Sequence, residues 1–305
     1  MAVGTLTDVV DRMPGIVVPP MTAATEPDAP TLPCVLCFNA SDPSGAGGMA
    51  ADVATLASAT CHALPVVTAV WIGDTRQRHQ LLPLEADWID EQARAVLEDM
   101  PVHAVKVTLA AAAEAVAAIG SILSDYDELP VVTYVPELAA LDDGAREALL
   151  EAAAELLLPQ TDVLVGNHHT LARWLLPDWE DERAPGARDV ARAAAAHGVG
   201  ATLLTGVARG EQLDNLLATP EVVLTSVPFE RIDATFTGAG DTLAAALAGL
   251  LAHEAELPVA ANQALAYLDQ ALLHGFQPGM GHAIPQRLFW ADEPDDDEDA
   301  STSER

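Results

Sequence analysis

The sequence predicts an α/β protein built on one largely parallel β-sheet with helices on both faces. Between residues 34 and 206, short apolar runs alternate with longer segments in which apolar residues recur at helical spacing. This rhythm is typical of parallel sheets, because a helix carries the chain back to the start of each new strand. The chain has 305 residues, of which 50% are hydrophobic. That is enough apolar material to bury the core of one large domain.

The predicted strands are short apolar runs, as expected for strands that are buried on both faces of a sheet. Six of them alternate with helices: residues 34–40, 65–72, 102–107, 130–135, 162–165 and 200–205. Two further β-like runs lie within residues 211–228 and are joined through Pro220.

The predicted helices have apolar residues three and four positions apart. They are residues 49–61, 83–100, 111–123, 143–157, 168–175, 187–197, 243–253 and 259–274. Residues 1–30 contain five prolines and little periodicity, so we expect a mobile extension. Residues 291–305 are acidic, and we expect a disordered tail there. This leaves residues 31–290 as the predicted folded domain.

The chain is strongly acidic, with 14 Lys and Arg against 46 Asp and Glu and a net charge of −32. Binding of nucleic acid requires cations that neutralise phosphates, so this class of partner is excluded. Lys106 is the only lysine. Dense carboxylates repel one another unless salt screens them, so we hypothesise a halophilic cytoplasm. A thermal stability that does not change between low and high KCl would rule this hypothesis out.

The N-terminus lacks an apolar core behind basic residues, and no apolar stretch reaches the roughly 20 residues that span a membrane. These features predict a cytoplasmic protein without a signal peptide. The spacing of Cys34 and Cys37 resembles that of a redox or zinc pair. Residues three apart in a strand face opposite sides, however, so we interpret these cysteines and Cys61 as buried thiols in a reducing compartment.

The segment Thr237–Thr242 is the strongest candidate for a functional site. It reads Thr-Gly-Ala-Gly-Asp-Thr and opens an Ala/Leu-rich helix. Glycines allow backbone N–H groups to approach an anion closely, and the start of a helix adds about half a positive charge. Asp241 lies in the first turn, where a carboxylate beside a phosphate is suited to accept a proton from an attacking hydroxyl. The alternative interpretation is a capped helix start without catalytic function.

The segment Gly45–Ala50 fits the pattern G-x-G-x-x-A after a predicted strand, which also occurs in dinucleotide-binding oxidoreductases. In such an enzyme Asp74, after the next strand, would hold a ribose. Two features argue against this alternative. Asp42 and Pro43 separate the strand from the glycines, and a dehydrogenase needs no second anion site with its own carboxylate near Asp241.

Four segments resemble hydroxymethylpyrimidine/phosphomethylpyrimidine kinases, which are thiamin-biosynthesis members of the ribokinase-like superfamily. The segment Ala40–Asp52 is similar to their opening signature, and Pro65–Val70 is similar to their second strand. Thr237–Thr242 resembles their C-terminal anion hole, and Gly281-His282 resembles a Gly-His pair near their end. The resemblance covers roughly residues 34–290 in the order and spacing of the family.

The resemblance implies a ribokinase-like fold, ATP as phosphoryl donor, Mg²⁺, an aminopyrimidine substrate and a homodimer. It implies that Asp241 is the general base; pyrimidine kinases often have cysteine there, whereas aspartate is typical of their sugar- and pyridoxal-kinase relatives. The identity of the metal ligands remains open. The anion-hole and ATP-binding candidates are Gly238, Ala239, Gly240, Asn167 and Gly206. The substrate-binding candidates are Asp42, Gly45, Asp52 and Gly73.

Several positions depart from the family pattern. Gly73 replaces a glutamine that binds the pyrimidine, and Thr170 replaces the carboxylate of an N-x-x-E motif that begins at Asn167. Thr205 replaces a lysine, and Val135 replaces the aspartate of an Asp-Pro pair. These departures leave two alternatives open: a kinase of another small alcohol such as pyridoxal, or a non-catalytic ligand-binding relative.

Overall fold

The computed structural model describes residues 32–291 and contains a nine-stranded sheet in the order β3-β2-β1-β4-β5-β6-β7-β8-β9. The six strands from β2 to β7 in this order are parallel, and β3, β8 and β9 join the edges by antiparallel pairing. The strands are β1 Cys34–Ser41, β2 His62–Gly73, β3 Arg78–Pro83, β4 Ala104–Thr108, β5 Val131–Val135, β6 Val163–Asn167, β7 Ala201–Arg209, β8 Gln212–Ala218 and β9 Val223–Glu230.

Helices cover both faces of this sheet, which confirms the predicted fold class. They are α1 Gly48–Ser58, α2 Ala86–Leu97, α3 Ala113–Ser124, α4 Asp143–Ala152, α5 His168–Leu175, α6 Ala187–Ala195, α7 Ala239–Ala252 and α8 Leu257–Leu273. Helix α4 continues into a π-helical turn, Ala153–Leu157, and a short 3₁₀ turn, Leu158–Gln160. A second 3₁₀ turn is formed by Phe289–Ala291.

The core has two layers, one on each face of the sheet. Side chains of β1 alternate between them: Leu36 and Phe38 pack with helices α2 to α6, whereas Val35 and Cys37 pack with α1, α7 and α8. Cys34 belongs to the first layer, so Cys34 and Cys37 face opposite sides, as predicted. Because successive side chains of a central strand enter both core layers, the sequence of such a strand is continuously hydrophobic.

One predicted helix begins later than expected and follows a strand that was not predicted. We expected a helix over residues 83–100, but β3 occupies Arg78–Pro83 and α2 begins only at Ala86. Strand β3 lies at the sheet edge and is largely exposed, so its sequence lacks the apolar signal of a buried strand. Pro220 lies in the connection between β8 and β9, as predicted.

Two predicted segments, residues 1–30 and the acidic tail after residue 291, lie outside the described residues. The boundaries of the predicted domain therefore remain predictions. Among the helices of residues 32–291, none is both long and apolar enough to cross a bilayer.

The sheet brings several loops together at the carboxyl ends of its parallel strands. The loop after β1, the end of β4 and the end of β5 all meet the N-terminus of α7 at this edge. Open α/β sheets bind ligands at this edge, because loops from neighbouring strands diverge there and leave a crevice.

Candidate active site

Helix α7 begins with backbone N–H groups that no side chain caps within the described part of the chain. Gly238 precedes the helix with φ of 90°, a left-handed conformation that favours glycine. A Cβ at this position would also collide with the carbonyl oxygen of Ala46. The glycine therefore permits close contact between the two loops. The first amides of α7, with the helix dipole behind them, form a site for an anion.

Asp241 lies in the first turn of α7 and is only 5% exposed. Its Oδ1 accepts hydrogen bonds from Nδ2 of Asn39 at 2.9 Å and from Nζ of Lys106 at 3.1 Å. Its Oδ2 accepts one from the backbone N–H of Gly48 at 3.1 Å. Burial raises the pKa of Asp241, but Lys106 and these hydrogen bonds outweigh burial and hold the pKa below its usual range. The side chain is therefore an ionised carboxylate at neutral pH.

Lys106 lies between two buried carboxylates. Its Nζ is 2.6 Å from Oδ1 of Asp52 and 3.1 Å from Oδ1 of Asp241, and its side chain has no exposed surface. Nδ2 of Asn39 donates to both carboxylates, at 2.8 Å to Asp52 and 2.9 Å to Asp241. Burial raises the pKa of Asp52 to about 6, although Lys106 opposes this shift. One cation thus serves two acids, and Asp52, which has the higher pKa of the two, takes up a proton first as the pH falls.

The loop after β1 is held in place by two side chains. Asp42 accepts hydrogen bonds from the backbone N–H and hydroxyl of Ser44 at 2.9 and 2.6 Å. Arg287, near the C-terminal end of the described chain, donates to the carbonyl of Ala46 at 2.5 Å and to Oγ1 of Thr242 at 3.0 Å. Burial lowers the pKa of the Arg287 guanidinium. This arginine fastens the glycine loop to the first turn of α7.

A cavity of about 350 Å³ opens beside the first turn of α7. Its polar lining consists of Tyr134, Glu137, Asn167, His169, Thr170 and Thr205. Gly240 lines the same cavity and packs against the hydroxyl of Tyr134. The cavity therefore joins the first turn of α7 to residues 167–170.

Asn167 has a structural role in this cavity. It is the N-cap of α5, and its Oδ1 accepts a hydrogen bond from the backbone N–H of His169 at 2.9 Å. Gly206, with φ of 73°, faces the Nδ2 of Asn167, so the two predicted residues are in contact. His168 bonds the carbonyl of Pro185 at 2.7 Å, and His169 is exposed.

The structure brings most of the predicted site residues to one edge, although their roles remain predictions. The anion-hole residues Gly238, Ala239 and Gly240 adjoin Asp241, and the loop with Asp42 and Gly45 packs directly against them. Asp52 has no exposed surface and lies behind Asp241, bonded to Lys106 and Asn39.

Gly73 ends β2 and pairs with Arg78 of β3. A Cβ at residue 73 would lie 2.6 Å from the carbonyl oxygen of Gln77, so the tight β2–β3 turn leaves no room for a side chain there. The glutamine expected from the family resemblance therefore has no counterpart at this backbone position.

The site also contains residues to which the sequence assigned no role. These are Asn39, Arg78, Lys106, Glu137 and Arg287. Only Lys106 carried a signal, since it is the single lysine of the chain and falls inside an apolar strand. A buried cation requires buried anions, so this placement alone indicates a buried charge network.

Solved structures with this fold include a pyridoxal kinase and a phosphomethylpyrimidine kinase. The ADP complex of Bacillus subtilis pyridoxal kinase aligns with a TM-score of 0.77 and 20% identity, over 86% of this chain and 100% of that one. Phosphomethylpyrimidine kinase from Clostridium difficile aligns with a TM-score of 0.64 and 21% identity, over 79% of this chain and 100% of that one. The fold is therefore the one that these kinases share.

Sequence comparison identifies the family within this class. The family model for phosphomethylpyrimidine kinase matches residues 42–286. The hydroxymethylpyrimidine/phosphomethylpyrimidine kinase of Streptomyces coelicolor is 34% identical over 86% of this chain and 96% of its own length. This chain belongs to the phosphomethylpyrimidine kinase family, as the resemblance in its motifs predicted.

Proposed function

We propose that this protein transfers the γ-phosphoryl group of ATP to hydroxymethylpyrimidine or to its monophosphate, in thiamin biosynthesis. The observation that carries the proposal is the placement of an ionised carboxylate, Asp241, in the first turn of a helix whose leading amides are uncapped in the described chain. A base for the attacking hydroxyl and donors for the transferring phosphoryl group thus lie within one helical turn.

The two oxygens of Asp241 have different surroundings. Oδ1 is bonded to Asn39 and Lys106, with Thr108 at 3.4 Å. Oδ2 accepts only the backbone N–H of Gly48 among the described residues. Oδ2 therefore keeps a lone pair for the proton of the substrate hydroxyl, while Lys106 and Asn39 fix the carboxylate in place. The amides of residues 238–241 stabilise the negative charge that builds on the transferring phosphoryl group.

The polar residues of the cavity beside α7 fit Mg²⁺ and the phosphates of a nucleotide. Glu137, Asn167, Thr170 and Thr205 offer oxygen atoms, which this hard cation prefers, and one carboxylate is enough because Mg²⁺ keeps several waters. Bound there, Mg²⁺ supplies positive charge against the phosphate oxygens. Thr170 offers no carboxylate, but Glu137 lines the same cavity and offers one. We therefore infer that Mg²⁺ still binds, with a lower affinity than in a site that has both carboxylates.

A carboxylate at residue 170 is expected to lower the Mg²⁺ requirement. Thr170→Glu places a second anionic ligand in the cavity that Glu137 already lines, and Thr170→Gln is the control of equal size without charge. The measurements are the half-saturating Mg²⁺ concentration for turnover and the Mg²⁺ affinity of the ADP complex by calorimetry. Identical Mg²⁺ titrations for the parent and Thr170→Glu would show that residue 170 does not face the metal.

An ADP-release assay tests the proposed function directly. Purified protein is incubated with ATP, Mg²⁺ and hydroxymethylpyrimidine, its monophosphate, or pyridoxal, each at several KCl concentrations. Turnover of either pyrimidine supports the proposal. Turnover of pyridoxal alone would establish the alternative substrate, which the likeness to pyridoxal kinases and the aspartate at residue 241 favour. Binding without ADP release would establish a non-catalytic relative.

Three further expectations accompany this proposal. Membership of a kinase family argues against the dinucleotide-binding oxidoreductase. The loop at Gly45–Ala50 also has another contact, since the N–H of Gly48 donates a hydrogen bond to Asp241. The homodimer remains a prediction that a molar-mass measurement in solution would test. The cytoplasmic location likewise remains a prediction.

A further inference from the structure

Arg78 is a cation beside the candidate active site that the mechanism above does not use. Its Nη2 lies 3.1 Å from Oδ2 of Asp42, and its guanidinium lies 4.9 Å from the centre of the Trp71 ring. The Arg78 side chain is 26% exposed, whereas that of Asp42 is 5% exposed. Asp42 and Trp71 thus hold the guanidinium in place while one side of it remains open to the site.

The position of Arg78 relative to Asp241 can be fixed through Gly47. A Cβ at residue 47 would lie 2.7 Å from Nη2 of Arg78 and 2.9 Å from Oδ2 of Asp241. The cation and the candidate base therefore flank the same point of the glycine loop. The charge of Arg78 also contributes to the low pKa of Asp241, which is consistent with this proximity.

The guanidinium has hydrogen-bonding capacity to spare. Its Nε is buried and has no hydrogen-bond partner among residues 32–291, and its one recorded hydrogen bond there is to Asp42. A guanidinium has five N–H donors, and the pair with Asp42 uses one of them. The exposed part of the side chain therefore keeps donors for a ligand.

Arg78 also stands beside a position where the chain has no side chain. It pairs across β2 and β3 with Gly73, and the turn at Gln77 excludes any Cβ at residue 73. Residue 73, at the end of β2, therefore cannot supply a hydrogen-bonding side chain to a substrate. The residue opposite it in the strand pair supplies a guanidinium instead, which suits an anion better than a neutral ring.

We propose that Arg78 binds the phosphate group of the phosphorylated substrate and makes the site selective for phosphomethylpyrimidine over hydroxymethylpyrimidine. This inference rests on the proposed function. A planar guanidinium can form two parallel hydrogen bonds to a phosphate. A local cation matters here because the chain as a whole carries a net charge of −32 and repels a dianion.

The reaction of the phosphorylated substrate is balanced without a base. One oxygen of its phosphate forms a bond to the γ-phosphorus of ATP while the bond from that phosphorus to ADP breaks, which gives a diphosphate ester and ADP. The monophosphate is already largely dianionic at pH 7, since its second pKa is about 6, so no proton has to be removed. Arg78 is therefore expected to affect the affinity for the phosphorylated substrate, and not a proton transfer.

The test compares both substrates in Arg78→Gln, Arg78→Lys and the control Arg76→Gln. Arg76 is exposed in the β2–β3 turn, so its substitution changes the net charge equally. In Arg78→Gln, the KM of the phosphate ester should rise about 10- to 100-fold, as expected for lost charge-assisted hydrogen bonds. The KM of hydroxymethylpyrimidine should stay within about threefold. Arg78→Lys should be intermediate, and Arg76→Gln should match the parent.

Other outcomes would overturn the inference. Equal changes for both substrates would mean that Arg78 orders the loop through Asp42 or contacts the γ-phosphoryl group; a parallel change in the KM of ATP would identify the latter. No change for either substrate would also overturn it. If the parent turns over neither pyrimidine, the proposed function fails. Calorimetric titration of the phosphate ester into parent and Arg78→Gln then decides separately whether Arg78 binds it.

Discussion

Asp241→Asn is expected to lower kcat for hydroxymethylpyrimidine by about 10²–10⁴-fold, the usual contribution of a general base. Asparagine keeps the size of the side chain, but its single oxygen can accept either from Gly48 or from Asn39 and Lys106, and it has no carboxylate to take the hydroxyl proton. The affinity for ATP should change little, because the backbone amides that we propose as the phosphate site stay in place. The measurements are kcat, nucleotide affinity and melting temperature.

The same three measurements separate catalysis from a structural role. Gly238, and not Asp241, precedes the helix as its cap, and Asp241 pairs with Lys106 instead. A purely structural role in that pair would give a variant that melts lower but keeps the kcat of the parent. The phosphate ester provides an internal control. Its phosphate needs no deprotonation, so its kcat should fall less than that of the alcohol. A variant that phosphorylates hydroxymethylpyrimidine at the parental rate would refute the assignment of Asp241 as base.

The fold could be predicted because its signals are local in sequence. Buried strands such as β1 and β4 read as short apolar runs, and helices such as α7 show apolar residues at helical spacing. Strand β3 was missed because it is an exposed edge strand whose sequence carries little hydrophobic pattern. The start of α2 was placed three residues too early, because Pro83 and Leu84 fit the first turn of a helix.

The site could be predicted only in part because several of its contacts join residues that are distant in sequence. The motif around Asp241 is local in sequence, and its glycines indicate the proposed anion hole. Nothing local indicates that Arg287 reaches the carbonyl of Ala46, 241 residues away. Likewise, Arg78 faces Asp42 only because β3 folds back on β2. Such contacts depend on sheet order, which the sequence pattern does not specify.

The single lysine leads to the prediction with the largest expected effect on stability. Lys106→Met is expected to lower the free energy of unfolding by about 3–5 kcal/mol, because it leaves the buried carboxylates of Asp52 and Asp241 without their shared cation. For a domain of this size the melting temperature should fall by about 10 °C. The control Arg94→Met removes a half-exposed cation paired with Asp90 and should cost at most about 1 kcal/mol.

The loss should depend on pH with a definite sign. Without Lys106, the pKa of Asp52 rises further above that of the unfolded chain, and the pKa of Asp241 loses the main interaction that holds it low. Burial then raises the pKa of both carboxyls, so the folded state binds more protons than the unfolded state. Stability then falls as pH rises, and the deficit of Lys106→Met should be larger at pH 8 than at pH 5. Thermal melts of parent and variant at both pH values measure this. An equal deficit at the two pH values would contradict an electrostatic origin.

A double variant shows whether Lys106 stabilises the fold by neutralising both acids. Lys106→Met with Asp52→Asn removes the cation together with one carboxylate, and leaves Asp241 with the hydrogen bonds from Asn39 and Gly48. Because the residues share one network, the effects should not add, and the double variant should melt above Lys106→Met alone. A double variant that melts at or below the single variant would mean that packing of the lysine stem, and not its charge, is what the core requires.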